Sequence, residues 1–594
     1  MAGGAERAQL DDWMRQGYAL HEGGDLERAA GFYRRILEAD PGYVDATFLL
    51  GMIAEAQGAA EEAAARFQAA AAARPDEPAF LFALGKQQYR ARRFEEAVDT
   101  LERGLALRPD DPDARHDYGS SLMELSRWDE ALAVVEPLAR GAEDSFATQY
   151  NLANLYRQLG RVQDAIGQYR KALALSPGHL DTQGCLLFML NYSDRHSAAD
   201  IFAEHRAFGE RLAQAALPPV AETRWPRRLR IGYLSPDFRH HAVACFIAPV
   251  LERHDRGRFE VRCYYTRAPA DEVTARLRGH AEHWSDCAGL TDEAIAQRIR
   301  DDRIDILVDL AGHTSGGRVG VLAMKPAPLQ VSYLGYPNTT GLASVDYRIG
   351  DAITDPAGSA DALNVERLLR LPRTFLAYRP LAPAPDPGPL PLLRNGHVTF
   401  GCYNNFFKQS GTFLDTAAKL LLAIPGARLT LKGGPLYSAS VADGVRARFA
   451  AAGVAPDRLV LLGWTTTYDD HLAAYRDIDI ALDSFPYAGT TTTCEALSMG
   501  VPVVTLQGDR HAARVGASLL SALGLNEWVA RSTDEFVSTC VRLAADVGGL
   551  KAHRAGLRER MRASPLMDEH ALTLALEDAY LKMWTDRLSL AACK

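Results

Sequence analysis

The first 190 residues repeat on a 34-residue period, and this feature constrains the fold more tightly than any other in the chain. Small residues recur at Gly17, Gly51, Gly85, Gly119 and Ala153, and alanines at Ala29, Ala63, Ala97, Ala131 and Ala165. Bulky residues recur at Tyr33, Phe67, Leu101, Val135 and Tyr169. Prolines recur at Pro41, Pro75, Pro109 and Pro177, with Glu143 in the slot between the last two. Every series steps by 34. A period of this length holds two helices and their turns, and one such pair cannot bury its apolar face alone. The small residue lets the paired helices approach, the bulky residue fills the gap, and proline ends the pair. Five repeats cover about residues 10–179, and 180–192 reads as half of a sixth.

This is the tetratricopeptide period, so residues 1–194 are expected to form an α-solenoid. Such stacks expose a concave groove that takes extended peptides. A spacer or dimerisation arm is the plainer alternative for such a stack. An acceptor protein or peptide and a second copy of the chain, making a homo-oligomer, are therefore the two protein partners expected. Residues 195–227 read as a linker helix running to Trp225-Pro226.

Composition removes several function classes. A net charge of −9 with no run of Lys or Arg argues against nucleic-acid partners. The eight cysteines are scattered without a CxxC pair, which fits a reducing compartment and no structural zinc. The start MAGGAERAQLDDW has neither the basic end nor the apolar core of a signal peptide. No apolar run reaches the ~18 residues of a membrane span. A cytoplasmic protein is expected.

From residue 228 the pattern changes to alternating strands and helices, the signature of a parallel α/β sheet. Strands are expected at 229–235, 259–265, 304–310 and 329–334, with helices at 242–253 and 292–300. Residues 228–380 form one Rossmann-like half. Ligands in such sheets sit at the carboxyl ends of strands, and polar loops fall there. His241 follows the first strand, Asp309 and His313 a later one, and GYPNTTG (335–341) the next. Histidine is the natural general base near neutral pH, and Asp can orient it or take a proton. A single loop histidine is more often merely solvated; three such loops at one edge favour a site.

Six prolines between Pro380 and Pro391 mark an extended linker over 381–396. A second Rossmann-like half follows over 397–594, with amphipathic helices closing it. Its first strand leads into Asn404-Asn405-Phe406-Phe407-Lys408, where an ammonium at a strand end could neutralise a departing diphosphate; an ordinary surface lysine is the plainer alternative. There is no GxxxxGK[ST], so this is not a P-loop NTPase. The pair Asp469-Asp470 lacks metal-site context, and no metal or other cofactor is expected.

The chemistry is expected at DSFPYAGTTTTCEALSMGVPVVT, residues 483–505. A strand ends at Leu482, a turn through Gly489 follows, and then come Thr490, Thr491, Thr492 and Thr493 at a helix start. Threonines at that position offer hydroxyls beside free backbone N–H groups, and the helix dipole adds positive charge. Such a place binds phosphate or diphosphate. It is equally a simple N-cap with spare hydroxyls. Glu495 would accept hydrogen bonds from a ribose, or close a capping box.

Together SPDFRHHAV, LVDLAGHT, KPAPLQVSYLGYPNTTG with VDYRI, FGCYNNFFK and DSFPYAGTTTTCEALSMGVPVVT carry a resemblance. The chain resembles the tetratricopeptide-fused protein O-glycosyltransferases, the group containing O-GlcNAc transferase and SPINDLY, which have a GT-B fold. The resemblance covers nearly the whole chain. It implies that His241 is the active-site histidine and that Lys408 binds the donor diphosphate. It implies that Asn405 lies near the phosphates, His471 in the nucleotide site, Thr491 and Thr492 at the phosphate-binding helix start, and Glu495 on the ribose. Asp309 and His313 would lie near the transferred sugar. One position departs: the animal enzymes place histidine just before the two threonines, where this chain has Thr490, as in SPINDLY-type sequences associated with GDP-fucose.

The expected activity is therefore inverting, metal-independent transfer of a sugar from a nucleotide-sugar to Ser or Thr of a protein held by the repeats. UDP-GlcNAc is the first donor expected, with GDP-fucose or another activated sugar as alternatives. His241, Asp309 acting through water, or the donor's own phosphate would take the hydroxyl proton. A repeat scaffold that has lost catalysis is the reading from a different class.

Overall fold

A computed structural model describes residues 2–141, 145–218 and 227–592. Glu143 and the Trp225-Pro226 end of the expected linker lie outside the described residues. The chain divides into two compact units, one comprising residues 1–159 with 174–177, the other 160–173 with 178–594.

The first unit is helical, and the 34-residue series explains its packing. Its helices run Ala2–Glu22, Leu26–Ala39, Val44–Ala56, Ala60–Ala73, Pro78–Arg90, Phe94–Leu107, Pro112–Glu124, Trp128–Gly141 and Phe146–Gln158. Consecutive helices pack on each other. A methyl group added at Gly17, Gly51, Gly85 or Gly119 would stand 2.7, 2.8, 2.5 and 2.5 Å from the side chains of Tyr33, Phe67, Leu101 and Val135. Each small residue thus receives the bulky residue sixteen positions on. The alanines at 29, 63, 97 and 131 are fully buried in the same seams. Pro41, Pro75 and Pro109 each follow directly on a C-cap residue, where a residue lacking an N–H stops the second helix of a pair.

The second unit begins with helical segments and continues as two parallel sheets. Helices Leu180–Leu190 and Ala198–Arg211 precede the first sheet, the latter started by a Ser197–Asp200 capping box. The first sheet holds β1 (Leu229–Ser235), β2 (Phe259–Tyr265), β3 (His283–Asp286), β4 (Ile306–Asp309), β5 (Leu329–Ser332), β6 (Tyr347–Asp351) and β7 (Arg367–Leu371), in the order β3-β2-β1-β4-β5-β6-β7. The second holds β8 (Thr399–Cys402), β9 (Arg428–Lys432), β10 (Leu459–Leu462), β11 (Ile480–Leu482), β12 (Val503–Leu506) and β13 (Val529–Ala530), in the order β10-β9-β8-β11-β12-β13. Every pairing is parallel. One continuous apolar core runs through both sheets and their helices.

Two details fix the loops at the carboxyl edge of the first sheet. β5 stops at Ser332, two residues before the expected end, because Leu334 adopts φ 74°, outside the β region. Gly335 then lies against the neighbouring loop so closely that a Cβ there would be 1.7 Å from Leu310 O. The chain's last helix, Glu569–Ala592, returns to the first sheet's side. There Glu577 bonds His254 Nδ1 at 2.9 Å and the Asp255 amide at 2.8 Å, and the Tyr233 and Tyr580 hydroxyls meet at 3.2 Å.

Candidate active site

A cleft of about 710 Å³ opens at the carboxyl edges of the two sheets, within the second unit. It is lined from the first sheet's side by Asp237, Arg239, His241, Arg267 and Leu334, and from the second by Asn405, Lys408, Tyr487, Thr490, Thr491, Thr492, His471 and Glu495. Several charged side chains therefore face one cavity, which is where α/β sheets place ligands.

The threonine turn is built by Asp483, at the end of β11. Its buried carboxylate accepts hydrogen bonds from the Gly489 amide (2.6 Å), Thr505 Oγ1 (2.7 Å) and Asn404 Nδ2 (2.9 Å). Burial pushes the Asp483 carboxyl up. Asn404 in turn accepts from Thr492 Oγ1. A Cβ at Gly489 would come within 2.7 Å of Asn404, Thr492 and Thr493, so only glycine lets the turn close. The helix Thr491–Ser498 then starts from Thr490 with no side-chain cap, and Gly500, at φ 68°, ends it. Thr491 Oγ1 is buried without a partner. Buried hydroxyls are otherwise almost always paired. The uncapped first turn and this hydroxyl leave donors at the helix start without partners, unlike a self-satisfied N-cap.

Lys408 closes the same place. Its Nζ donates to Ala488 O at 2.9 Å and lies 4.0 Å from the Tyr487 ring centre, and Tyr487 stacks on Tyr192 at 4.7 Å. Burial pulls the ammonium down to about 8, with Asp483 opposing the shift. Asn405 caps the turn Phe406–Lys408 by accepting from the Phe407 amide at 3.2 Å, which sets the approach of the lysine.

Glu495 lies in the second turn of its helix, five residues after the N-cap, so the capping-box alternative is not realised. Tyr468 Oη donates to one carboxylate oxygen and His471 Nε2 approaches the other, each at 3.0 Å. His471 Nδ1 lies 2.6 Å from Lys432 Nζ, which also reaches Thr465 Oγ1 at 3.2 Å. Both imidazole nitrogens are thus engaged, and the ring acts as a spacer that steadies Glu495. Burial pulls Lys432 down to about 8, with Glu495 opposing.

His241 sits on the loop after β1. Its Nδ1 receives the Val243 amide at 3.3 Å and stands 3.6 Å from Asp237 Oδ2. Burial lowers the imidazole and Asp237 acts against it; burial likewise raises Asp237. An Nδ1 that accepts from an amide leaves the proton on Nε2.

Four expected site residues do not line the cleft. Asp309 is buried, and its carboxylate accepts the Ala311 and Gly312 amides at 3.3 and 2.7 Å, stapling its own loop. Burial pushes it up to about 7. His313 points into the core, packed against His205, Phe208 and Tyr336, with Nε2 on Thr340 O at 2.8 Å. Burial pulls it down to about 4, so it is a neutral packing histidine. Gly489 and Thr493 shape the turn from behind. Conversely, sequence reasoning gave no role to Asn404, Lys432, Asp237, Arg239, Arg267, Tyr468, Asp483 or Tyr487. Most stand at strand carboxyl ends or beside residues already singled out, and that position was the available signal. Among the described residues no group of three or more His, Cys, Asp or Glu is placed to hold a metal ion.

Comparison with known proteins gives the family. The profile described as Glycosyl transferase family 41 matches residues 211–378 and 392–576. The chain belongs to glycosyl transferase family 41. Tetratricopeptide-repeat profiles match residues 20–87, 82–136 and 116–179. Within family 41, the chain is 40% identical over 430 residues to SPINDLY of Oryza sativa subsp. japonica, covering 70% of this chain and 46% of that protein. It is 42% identical over 412 residues to SPINDLY of Arabidopsis thaliana, covering 67% and 44%. Both are named as probable UDP-N-acetylglucosamine–peptide N-acetylglucosaminyltransferases. The chain spans about half the length of these curated relatives. A mutant O-GlcNAc transferase from Thermobaculum terrenum superposes with TM-score 0.70 at 32% identity, covering 99% of both chains. The repeat array followed by two parallel sheets in GT-B arrangement is thus shared along the whole chain.

Proposed function

We propose that this family 41 protein transfers a sugar from a nucleotide-sugar to a Ser or Thr hydroxyl of an acceptor protein. The observation that carries the reading is the convergence of the Lys408 ammonium on the uncapped threonine helix with its unpartnered Thr491 hydroxyl. A nucleoside diphosphate leaving group needs such groups, because negative charge grows on it as the glycosidic bond breaks. Glu495, held by Tyr468 and His471, is oriented to accept from ribose hydroxyls. Asn405, Thr490 and Thr492 line the phosphate path. The acceptor hydroxyl attacks the anomeric carbon; inversion follows from a single displacement. The repeat unit supplies the surface for the acceptor chain.

His241, in the tautomer its amide contact favours, presents Nε2–H to the cleft and would steady the substrate by donating. Taking the acceptor's proton requires the other tautomer, with Nδ1–H turned to Asp237. The donor's own phosphate remains the alternative acceptor of that proton. Asp309 is too enclosed for the role.

UDP-GlcNAc is the donor we propose first. GDP-fucose is the alternative, favoured by a separate observation, Thr490 immediately before Thr491-Thr492. The test is a screen with UDP-GlcNAc, GDP-fucose and a CMP-sugar, read as a mass gain on the protein or an added acceptor, and as released nucleotide. Transfer with one donor supports the proposal and names the sugar. Nucleotide binding that never leads to transfer, or none at all, favours the scaffold.

A further inference from the structure

One buried cluster on the cleft wall has no role in the reading above. The turn His511–Ala513, after β12, places His511 in the wall beside Phe375, Leu376 and Val515. Behind it, Arg348 of β6 and Asp355 form an ion pair, each almost wholly buried. Asp355 Oδ2 lies 2.8 Å from His511 Nδ1 and 3.0 Å from Thr354 Oγ1, and Arg348 Nη1 stands 3.1 Å from the same imidazole nitrogen. The Phe375 ring meets the imidazole edge to face at 5.1 Å.

Two groups meet at His511 Nδ1, the Asp355 carboxylate, which accepts, and the Arg348 guanidinium, which only donates. Burial alone would raise the Asp355 carboxyl, but Arg348, then His511 and Thr354, overcome it and hold the carboxyl well below the usual range. The carboxylate is the nearer of the two, 2.8 against 3.1 Å, and Arg348 also donates through Nη2 to Asp355 itself, so Nδ1 is assigned the proton and Nε2 the lone pair. Nε2 has no partner among the described residues and is not an enclosed atom; it opens on the cleft. Buried ion pairs are poor sources of stability, and here one serves to fix a single imidazole as an acceptor.

The position along the cleft follows from hydrogen bonds. Ala512 O accepts the Ala488 amide at 2.8 Å, and Ala488 O holds Lys408. His511 therefore sits beside the diphosphate position. Glu495 is anchored from the β9 side through His471 and Lys432, whereas His511 is anchored from β6. A donor whose diphosphate lies on Lys408 and Thr491 and whose ribose lies at Glu495 extends its sugar toward His511.

We propose that His511 Nε2 accepts a hydrogen bond from a hydroxyl of the transferred sugar and, with the Phe375, Leu376 and Val515 wall, helps set which nucleotide-sugar is accepted; Asp355 and Arg348 are the positioning residues behind it. The proposal rests on the nucleotide-sugar reading. Its test compares UDP with UDP-GlcNAc, and GDP with GDP-fucose, by calorimetric titration of the full chain. For His511→Leu, affinity for the nucleoside diphosphate stays within about twofold, while affinity for the intact donor falls about tenfold, the usual scale of one lost hydrogen bond. Asp355→Asn gives the same selective loss at about threefold, and His511→Gln, which keeps an acceptor oxygen, recovers part of it. Equal losses for both ligands in every folded variant would mean a purely structural role and overturn the proposal, as would no loss. If the unaltered protein binds none of the four ligands, the nucleotide-sugar reading itself fails, and this proposal with it.

Discussion

Replacing Lys408 with methionine should separate what the ammonium does for the empty protein from what it does for the donor. In the empty cleft, burial moves the group from an ordinary 10.5 to about 8. At ~1.4 kcal/mol per tenfold, that displacement corresponds to at most ~3.5 kcal/mol of unfavourable burial. Methionine of similar length forgoes the bond to Ala488 O and the Tyr487 contact, together worth ~1–2 kcal/mol. The empty variant should therefore be as stable as the parent, or more stable by up to ~2.5 kcal/mol. The donor complex should behave oppositely. A phosphate charge about 4 Å from the ammonium, at an effective dielectric near 20, gains ~4 kcal/mol, an upper bound equal to roughly a thousandfold in affinity. Scanning calorimetry of the empty variant and titration with UDP and GDP at pH 7 measure the two arms. Diphosphate affinity unchanged within twofold, or a variant less stable by more than ~2 kcal/mol, would refute the reasoning. The pH dependence has a defined sign. The folded value near 8 lies below the unfolded 10.5. Between them the unfolded chain holds more protons, so this lysine's destabilising effect is full below about pH 8 and is relieved as pH rises above it. Diphosphate affinity should fall over the same rise, because the protonated form is the one that binds; the methionine variant should lack both slopes.

Two further outcomes follow from the packing. Gly85→Ala puts a methyl group 2.5 Å from Leu101, so it should destabilise the repeat unit by ~1–3 kcal/mol; adding Leu101→Ala should recover part of this, and strictly additive losses in thermal unfolding would contradict the seam. Asp309 titrates near 7 when folded against an ordinary 3.8, so the folded chain holds the extra proton between those values and loses stability as pH rises through them. Asp309→Asn should flatten urea midpoints from about pH 4 to 7 and leave transfer within about threefold; a hundredfold loss of transfer in a folded variant would put Asp309 back in the chemistry.

The fold was legible where one kind of residue had to recur or alternate. The 34-residue series left no other reading for the repeats, and β1 and β2 are apolar runs with clear ends. The edge strands β3 and β7 escaped notice because they are short, mostly half-buried or exposed, and broken by charged or polar residues, so neither carries an apolar run of strand length. That the threonine turn and Lys408 face one cleft was legible, because polar residues at strand ends and helix starts gather at the carboxyl edge of a parallel sheet. Asp309 and His313 misled for the same reason: they occupy the right edge of the sheet, but their side chains turn inward, and the sequence does not encode that turn. Asn404, Asp483 and His511 were hidden because each acts through a partner distant in sequence.

The helical segment that precedes β1 is fastened to the sheets. Asn191 binds Tyr336 Oη at 3.1 Å and Asn338 at 2.8 Å, Arg510 takes the Ser193 and His196 carbonyls, and Asp194 holds Thr412. Tyr192, on the same stretch, stacks on the tyrosine that backs Lys408. For anyone splicing a different repeat array onto this protein, the seam is near Leu159–Gly160 and not at residue 194. Cut there, the recipient keeps the helical collar that props its own cleft, and the array upstream becomes an exchangeable part.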